Sequence, residues 1–223
     1  MFEREELLIG DLIKDLSNKT ILIVGVGGVG GYVTESMVRA GIGHLILVDF
    51  DTIDLSNINR QIIALNSNIG KKKVEAFKER ILDINPNCIV DTFDIFYNEE
   101  NKGVIFQGHI DYVIDCCDTV LSKILLMKEC YKRNIPIISS MGTGNKFHPE
   151  LFKIDRLKKT EYDPLAKKIR SLLKNDKELL DTMVLYSTEP PTEYKGKVGS
   201  ISYVPSVAGL LITSYVINKI LNK

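Results

Sequence analysis

The chain has 223 residues, of which 44% are hydrophobic, and this size and composition suit one large α/β domain with a sizeable core. Its 29 basic and 29 acidic residues balance, so the overall charge points to neither a nucleic-acid nor a membrane partner and leaves only a local basic patch open. The charged first residues and the lack of an apolar run of about 18 residues lead us to expect no secretion signal, no membrane span and a cytoplasmic location.

Helices and strands alternate along the first 150 residues. In chain order, the apolar patterns predict a helix over 5–16 that is broken near Gly10, a strand over 21–24, a helix over 31–41, a strand over 44–49, a helix over 71–84, strands over 88–94 and 111–115, a helix over 119–133 and a strand over 135–140. This order is typical of a Rossmann-like α/β fold, a doubly wound and mostly parallel sheet with helices on both faces.

After residue 150 the pattern changes. We expect a strand over 151–154, a helix over 163–175, strands near 182–186 and 200–204, and a closing helix over 206–221. The proline-containing segment 187–199 is expected to be a mobile loop. The whole chain is then one domain, with a nucleotide-binding core over 1–150 and an antiparallel C-terminal extension over 151–223.

A glycine-rich turn follows the first strand. Gly25, Gly27 and Gly30 have G-x-G-x-x-G spacing between a predicted strand and a predicted helix, with Gly28 inside the same turn. In such a turn the first glycine permits a sharp bend, the second lets a phosphate approach the backbone, and the third lets helix and strand pack closely. Free N–H groups at the helix start would face the phosphates. The sequence therefore predicts a nucleotide site.

Two groups of polar residues point to different nucleotides. Asp49 ends the second strand, where a Rossmann-type site binds ribose hydroxyls, and alone it favours NAD and hydride transfer. The polar segment 50–69, however, carries Asn57 and Arg60 and is followed by Lys73. Cations at such a site suit a triphosphate, because they stabilise charge on transferring phosphates. A local salt bridge for Arg60 and a solvated lysine for Lys73 are the simpler alternatives.

A carboxylate for Mg²⁺ is expected at the end of the strand over 111–115. Asp118 follows this strand at the sheet edge where ligands bind, and Asp115 is a second candidate. For Asp118, too, a local salt bridge is the alternative.

The motifs at 24–30, 47–51, 55–61, 70–74 and 115–118 together resemble the ubiquitin-activating-enzyme-like superfamily, ATP-dependent adenylating enzymes with the ThiF/MoeB/HesA fold. The resemblance implies catalytic roles for Arg60, Lys73 and Asp118, with Mg²⁺ held by Asp118. It also implies a homodimer in which Arg4 reaches the nucleotide of the partner protomer. The implied ATP contacts are Gly25, Gly27, Gly28, Gly30, Asp49, Asp51, Asn57, Arg60, Lys73 and Asp118.

Further segments narrow the resemblance to one branch, the tRNA threonylcarbamoyladenosine dehydratases. They lie at 4–10, 57–62, 81–86, 140–146, 163–166 and 199–205. The implied reaction is adenylation of the threonyl carboxylate on adenosine 37 of tRNA, followed by cyclisation with loss of AMP. The implied partners are modified tRNA and a second copy of the chain, and a sulfur-transfer protein is a further candidate.

Three other functions stay open: activation of the C-terminal glycine of a ubiquitin-like carrier protein, an NAD-dependent oxidoreductase, and a catalytically idle dimeric binding module. Sulfur-carrier activators often have paired C-x-x-C zinc ligands and a late reactive cysteine. This chain has no C-x-x-C pair and no cysteine beyond Cys130, which disfavours sulfur relay.

A tRNA-binding surface is expected in the second half. Residues 155–170 contain six basic and three acidic side chains, although a solvated helix face explains 167–170 equally well. The basic residues are Arg156, Lys158, Lys159, Lys167, Lys168 and Arg170, with Lys195 and Lys197 on the loop. Thr143, Asn145 and Lys146 are candidates for base binding from their place after a strand.

Overall fold

The computed structural model describes residues 1–190, 192, 196 and 198–223. In this part of the chain seven strands form one sheet in the order β3-β2-β1-β4-β5-β7-β6. Every neighbouring pair is parallel except β6 and β7, which are antiparallel. The strands are β1 Thr20–Val24, β2 His44–Val48, β3 Ile89–Phe93, β4 Tyr112–Asp115, β5 Ile137–Ser140, β6 Phe152–Arg156 and β7 Met183–Ser187. The predicted doubly wound sheet with an antiparallel extension is confirmed.

Helices cover both faces of the sheet. They are α1 Glu3–Ile9, α2 Leu12–Ser17, α3 Gly30–Arg39, α4 Lys73–Ile84, α5 Val120–Arg133, α6 Pro164–Leu172 and α7 Tyr203–Ile220. Helices α3, α4 and α7 pack on the face that contains Ile21 and Ile23, whereas α5 packs on the face that contains Leu22 and Val24. Successive side chains of β1 therefore enter opposite cores, which explains why the strand is apolar without interruption from Ile21 to Val24.

The functional edge of the sheet follows from the strand order. Strand β1 lies between β2 and β4, and the chain winds outward from it in both directions. In open parallel sheets, ligands bind beside the carboxyl ends of the strands where the winding direction reverses. The carboxyl ends of β1 and β4 are therefore the expected position of a site.

The predicted strand over 200–204 is wrong. Helix α7 begins at Tyr203, three residues before the predicted start of the closing helix. The β-branched residues Ile201 and Val204 favoured a strand, but Pro205 fits the first turn of a helix, where its missing N–H costs nothing. In the predicted loop 187–199, Pro191, 193–195 and Lys197 lie outside the described residues, so its mobility stays a prediction.

The N-terminal helix breaks at Gly10 as expected, because this glycine has φ +63° between α1 and α2. At the other end of the chain, α7 packs closely on α3. A Cβ on Gly209 would lie 2.6 Å from the carbonyl oxygen of Val29, so only glycine permits this approach. Ser36 and Thr213 share a hydrogen bond of 2.6 Å across the same contact. No helix in the described part of the chain has the length and apolar character needed to cross a membrane.

Candidate active site

A cavity of about 620 Å³ opens at the carboxyl ends of β1, β2 and β4. Its volume is in the usual range for small-molecule sites. Predicted ATP contacts from five separate segments line it: Gly25, Gly27, Gly28, Asp49, Asp51, Asn57, Arg60, Lys73 and Asp118. A larger cavity of about 980 Å³ lies around the amino ends of β4, β5 and β7 and contains none of these residues. The smaller cavity is therefore the candidate nucleotide site, because it contains the predicted residues and lies at the carboxyl ends of the central strands.

The glycine turn is shaped by close backbone contacts. Gly25 has φ +84°, and a Cβ there would lie 2.8 Å from the main chain of Cys116 and Cys117. A Cβ on Gly30 would lie 1.8 Å from the carbonyl oxygen of Gly25, so Gly30 lets α3 pack under the turn and does not line the cavity. Both glycines are needed by the fold itself.

Gly27 is different, because the fold leaves room for a side chain. The nearest atom to a Cβ at Gly27 is Nε2 of Gln61 at 3.7 Å, an ordinary contact. The main-chain N–H groups of Gly27 and Gly28 donate no hydrogen bond within the described residues. Unpaired donors just before a helix attract anions. Glycine at this position therefore suits a phosphate that approaches the backbone.

Asp49 braces the glycine turn. One carboxylate oxygen accepts a hydrogen bond from the N–H of Val26 at 2.8 Å, and the other accepts from the N–H of Asp51 at 2.9 Å. Burial raises the pKa of Asp49, and the nearby Lys73 and the two N–H groups oppose that rise. The side chain of Asp51, in contrast, is 46% exposed and presents an accessible carboxylate to the cavity.

Lys73 is buried, unlike the two lysines before it. Its ammonium nitrogen lies 2.6 Å from Oδ2 of Asp51 and 4.0 Å from Oδ1 of Asp49. Lys71 and Lys72 pair at the surface with Glu79 and Asp94. Of the three consecutive lysines, only Lys73 lines the cavity.

Arg60 and Asn57 lie on the segment that forms one wall. Asn57 closes a short turn with Asp54, whose main-chain N–H donates to Oδ1 of Asn57 at 3.1 Å. The guanidinium of Arg60 donates to the carbonyl oxygen of Ser56 at 2.7 Å and to Oδ1 of Asn59 at 2.8 Å. No carboxylate pairs with Arg60 in the part of the chain that the structure describes. Its positive charge therefore remains available to an anionic ligand.

The two candidate carboxylates at and just after the end of β4 differ in their exposure to the cavity. Asp118 is exposed and lines the cavity, whereas Asp115 is fully buried and lies 3.1 Å from Nζ of Lys123. Asp115 as a second Mg²⁺ ligand is thus wrong, because its oxygens face the interior. No group of three or more His, Cys, Asp or Glu residues that could hold a metal occurs among the described residues. A cation here would depend on Asp118 together with oxygens of the nucleotide.

Several cavity residues were missed by sequence reasoning. Gln61 is 7% exposed, and its Oε1 has no hydrogen-bond partner within the described chain. Phe50 and Phe96 form an edge-to-face pair with ring centroids 5.1 Å apart, and both are half exposed at the cavity. Gln61 and Phe50 belong to motifs that could have identified them, whereas nothing in the sequence singles out Phe96.

The candidates for base binding have different positions. Thr143 lines the cavity. Asn145 bonds twice to Gly199, accepting from its N–H at 2.7 Å through Oδ1 and donating its own N–H to the carbonyl oxygen at 2.9 Å. Lys146 is 3% exposed, donates to the carbonyl oxygen of Glu189 at 2.8 Å, and has its pKa lowered by burial. Asn145 and Lys146 therefore hold later parts of the chain against the loop after β5.

The expected basic cluster splits into two parts. Arg156 and Lys158 both pair with Asp181, and Lys159 pairs with Asp155, so their charge is largely compensated. Lys167 and Lys168 are exposed on α6. The N-cap of this helix, Asp163, accepts a hydrogen bond from the N–H of Gly142 at 3.1 Å, which places the start of α6 beside the loop after β5. Arg170 donates to Thr160, and Lys195 and Lys197 lie outside the described residues.

The cysteines near the cavity are poor nucleophiles. Cys116 and Cys117 are free and line the cavity, but burial and the adjacent Asp115 raise the pKa of both thiols. Because the thiolate is the reactive form, neither residue suits covalent catalysis at neutral pH.

Nearly the whole chain is similar to known proteins. The model of the ThiF family matches residues 4–223. The tRNA threonylcarbamoyladenosine dehydratase of Bacillus subtilis is 42% identical, covering 99% of this chain and 94% of that protein. The enzyme of the same name from Haemophilus influenzae is 35% identical, covering 96% and 90%. A crystal structure of the Escherichia coli enzyme, TcdA, in complex with ATP superposes with a TM-score of 0.94 at 34% identity, covering 99% and 93%. The chain therefore belongs to the ThiF family.

Proposed function

We propose that this protein is an ATP-dependent tRNA threonylcarbamoyladenosine dehydratase. The observation that carries the proposal is the convergence of Gly27, Arg60, Lys73 and Asp118 on one cavity at the switch point of the sheet. The similarity of nearly the whole chain to relatives of that name supports the choice of substrate.

The reaction has to activate a carboxylate, which is a poor electrophile because oxide would have to leave. Attack of the threonyl carboxylate on the α-phosphorus of ATP gives a mixed anhydride and releases pyrophosphate. The ureido nitrogen of the same substrate then attacks the acyl carbon and loses its proton to water, while the bond from the acyl carbon to the AMP oxygen breaks and AMP leaves. Since both reacting groups belong to one molecule, ring closure depends mainly on positioning. This scheme needs no protein nucleophile, in agreement with the buried thiols of Cys116 and Cys117.

In this proposal the phosphates occupy the cavity between the glycine turn and the cationic wall. The N–H groups of Gly27 and Gly28 donate to the phosphate oxygens, and Arg60 and Lys73 stabilise the charge that develops on the departing pyrophosphate. Asp51 holds the Lys73 ammonium in place before the nucleotide arrives. Asp49 keeps the turn in shape through Val26 and lines the cavity, where it would bind the ribose.

Mg²⁺ fits the donor set of this site. The cavity contains the carboxylates of Asp49, Asp51 and Asp118, of which Asp118 is the most exposed and has no ion pair within the described chain. Mg²⁺ is commonly held by one or two carboxylates together with substrate phosphates. When bound, the ion neutralises phosphate charge, and Asp118 would fix its position.

A homodimer and a tRNA-binding face complete the proposal. Helix α1 has no buried residue, and Leu7 and Leu8 on it are 89% and 79% exposed. Arg4 on this helix does not line the cavity of its own chain, which suits a role at the site of a partner protomer. Lys167 and Lys168 are the exposed cations of α6, and they are our candidates for tRNA phosphates.

Mass spectrometry of tRNA nucleosides tests the proposal. Purified protein is incubated with ATP, Mg²⁺ and tRNA that carries threonylcarbamoyladenosine, and we expect this nucleoside to lose one water while AMP and pyrophosphate accumulate. Release of AMP and pyrophosphate only with a ubiquitin-like carrier protein would contradict the proposal. So would stabilisation of the protein by NADH but not by ATP with Mg²⁺ in a thermal-shift measurement.

A further inference from the structure

We propose that Lys123 is a positioning residue for this site. Its side chain joins the two loops that carry Asp118 and Thr143. Lys123 does not itself line the cavity, and it lies one turn into α5 with a side chain that is 0% exposed. The kinetic test of this inference rests on the proposed function, because it measures the rate of that reaction. The contacts that join the two loops do not depend on the proposed function.

Three acceptors surround the Lys123 ammonium. Its Nζ lies 3.1 Å from Oδ2 of Asp115, 3.3 Å from Oγ of Ser139 and 2.7 Å from the carbonyl oxygen of Ser140. An ammonium has three protons, so all of them are used inside the protein. Ordinary core packing does not need a lysine here, and a buried cation is costly unless it is fully bonded.

Asp115 passes this constraint to the loop that bears Asp118. Its Oδ1 accepts hydrogen bonds from the N–H of Cys117 at 3.1 Å and from Sγ of Cys117 at 3.0 Å. The same loop contacts the glycine turn, because Gly25 has no space for a Cβ beside Cys116 and Cys117. Asp118 comes next in the chain and reaches the cavity. The position of Asp118 relative to the glycine turn is therefore fixed through Asp115.

Ser140 passes the same constraint to the loop that follows β5. It is the last residue of β5, and Thr143 and Gly144 of the following loop line the cavity. The bond from Lys123 to the Ser140 carbonyl thus links this wall to the loop of Asp118. One buried cation therefore connects the loop of Asp118 to the loop of Thr143.

A double-mutant cycle tests whether Lys123 acts through Asp118. In Lys123→Met we expect kcat at saturating ATP to fall about tenfold while KM for ATP changes less than about threefold, since Arg60 and Lys73 are untouched. In an Asp118→Ala background, the same substitution should change kcat less than about twofold. Lys128→Met is the matched control, because Lys128 is exposed on the same helix and should retain normal kinetics. Equal losses from Lys123→Met in both backgrounds, or normal kcat in the folded variant, would overturn the proposal.

A second measurement is independent of tRNA chemistry. Hydrogen exchange of the amides at 116–119, measured in folded Lys123→Met, should be about tenfold faster than in the parent, whereas amides of α7 should be unchanged. Unchanged exchange at 116–119 would overturn the positioning role even if the protein does not act on tRNA. If Lys123→Met does not fold, Asp115→Asn/Lys123→Met removes both buried charges while the amide oxygen can still bond Cys117. Parent-like kcat in that folded double variant would also contradict the proposal, and a wild type inactive on tRNA would instead refute the proposed function.

Discussion

The ammonium nitrogen of Lys73 lies 2.6 Å from Oδ2 of Asp51, although the lysine side chain is only 5% exposed and the aspartate side chain is 46% exposed. The buried cation is therefore held from the solvent side by an accessible carboxylate. In the proposed reaction, a triphosphate that enters the cavity would meet a charge already in position, so little reorganisation would be needed.

Removal of either cation should abolish most of the activity. We expect Arg60→Ala and Lys73→Ala each to lose about 3 kcal/mol of transition-state stabilisation, a fall of roughly 100-fold in kcat/KM. Folding should survive, because Arg60 bonds only to nearby loop atoms and Asp49 keeps its two N–H donors without Lys73. Steady-state release of pyrophosphate and thermal unfolding measure the two quantities. Lys71→Ala removes only the surface pair with Glu79 and serves as the control; near-normal rates in both test variants would refute the assignment.

Two glycines of the same turn should respond differently to alanine. Gly30→Ala places a methyl group 1.8 Å from the Gly25 carbonyl oxygen, and we expect the free energy of unfolding to fall by about 3 kcal/mol. Gly27→Ala meets no atom closer than 3.7 Å, so stability should be nearly unchanged while ATP binds at least about tenfold more weakly. Denaturant unfolding and calorimetric ATP titration measure both effects. Wild-type affinity in Gly27→Ala would mean that phosphate does not approach this backbone.

Asp118 should matter for the nucleotide and not for the fold. Its side chain is exposed and makes no ion pair in the described part of the protein, so Asp118→Ala should keep the wild-type Tm. If it holds Mg²⁺ beside the phosphates, turnover should drop about 100-fold and the apparent Mg²⁺ requirement should rise. A titration of pyrophosphate release against Mg²⁺ measures the shift. Asp94→Ala is the comparison at an exposed ion pair, and an identical Mg²⁺ dependence in the two variants would exclude the role.

Glu35 should make stability depend on acid pH. Burial raises its pKa, but hydrogen bonds and charge from Arg80 and Arg39 outweigh burial and hold the pKa below its ordinary value of 4.5. The folded protein then binds fewer protons than the unfolded chain, so this stabilisation is present above pH 4.5 and is lost as the pH falls through the lowered pKa. Glu35→Gln should cost about 2 kcal/mol at pH 7, because it weakens the charge-assisted bonds that Arg80 of α4 and Arg39 of α3 donate to this carboxylate. Urea unfolding across pH should show the difference from wild type shrinking in acid; a constant difference would contradict the mechanism.

The sequence was most informative where one short segment determines its own structure. Strand β1, the glycine turn and the start of α3 follow from an apolar run, glycine spacing and a helical pattern that agree with one another. The prediction of a strand over 200–204 was wrong because it gave the β-branched residues more weight than Pro205. The packing of α7 on α3 instead makes this segment the start of a helix.

Side-chain direction was the main property that the sequence left open. Asp115 and Asp118 are both aspartates at or just after the end of the same strand. Asp115 faces Lys123 in the interior, whereas Asp118 faces the cavity. Three consecutive lysines read alike until the structure buries only Lys73. The basic cluster after β6 likewise depends on Asp181, a distant residue that pairs with Arg156 and Lys158. Such distinctions depend on long-range contacts and cannot be obtained from spacing alone.

The close packing of α7 on α3 determines which truncations of the chain can still fold around the glycine turn. Every residue proposed to bind ATP precedes residue 119, yet Ala208 and Ile212 of the last helix share a core with Val29 and Val33 directly behind the glycine turn. A fragment that ends near residue 150 would keep all of those binding residues but expose the apolar back of the turn to water. Nucleotide binding should thus be a property of the full-length chain, and C-terminal truncation should abolish it even though no proposed ATP ligand is removed.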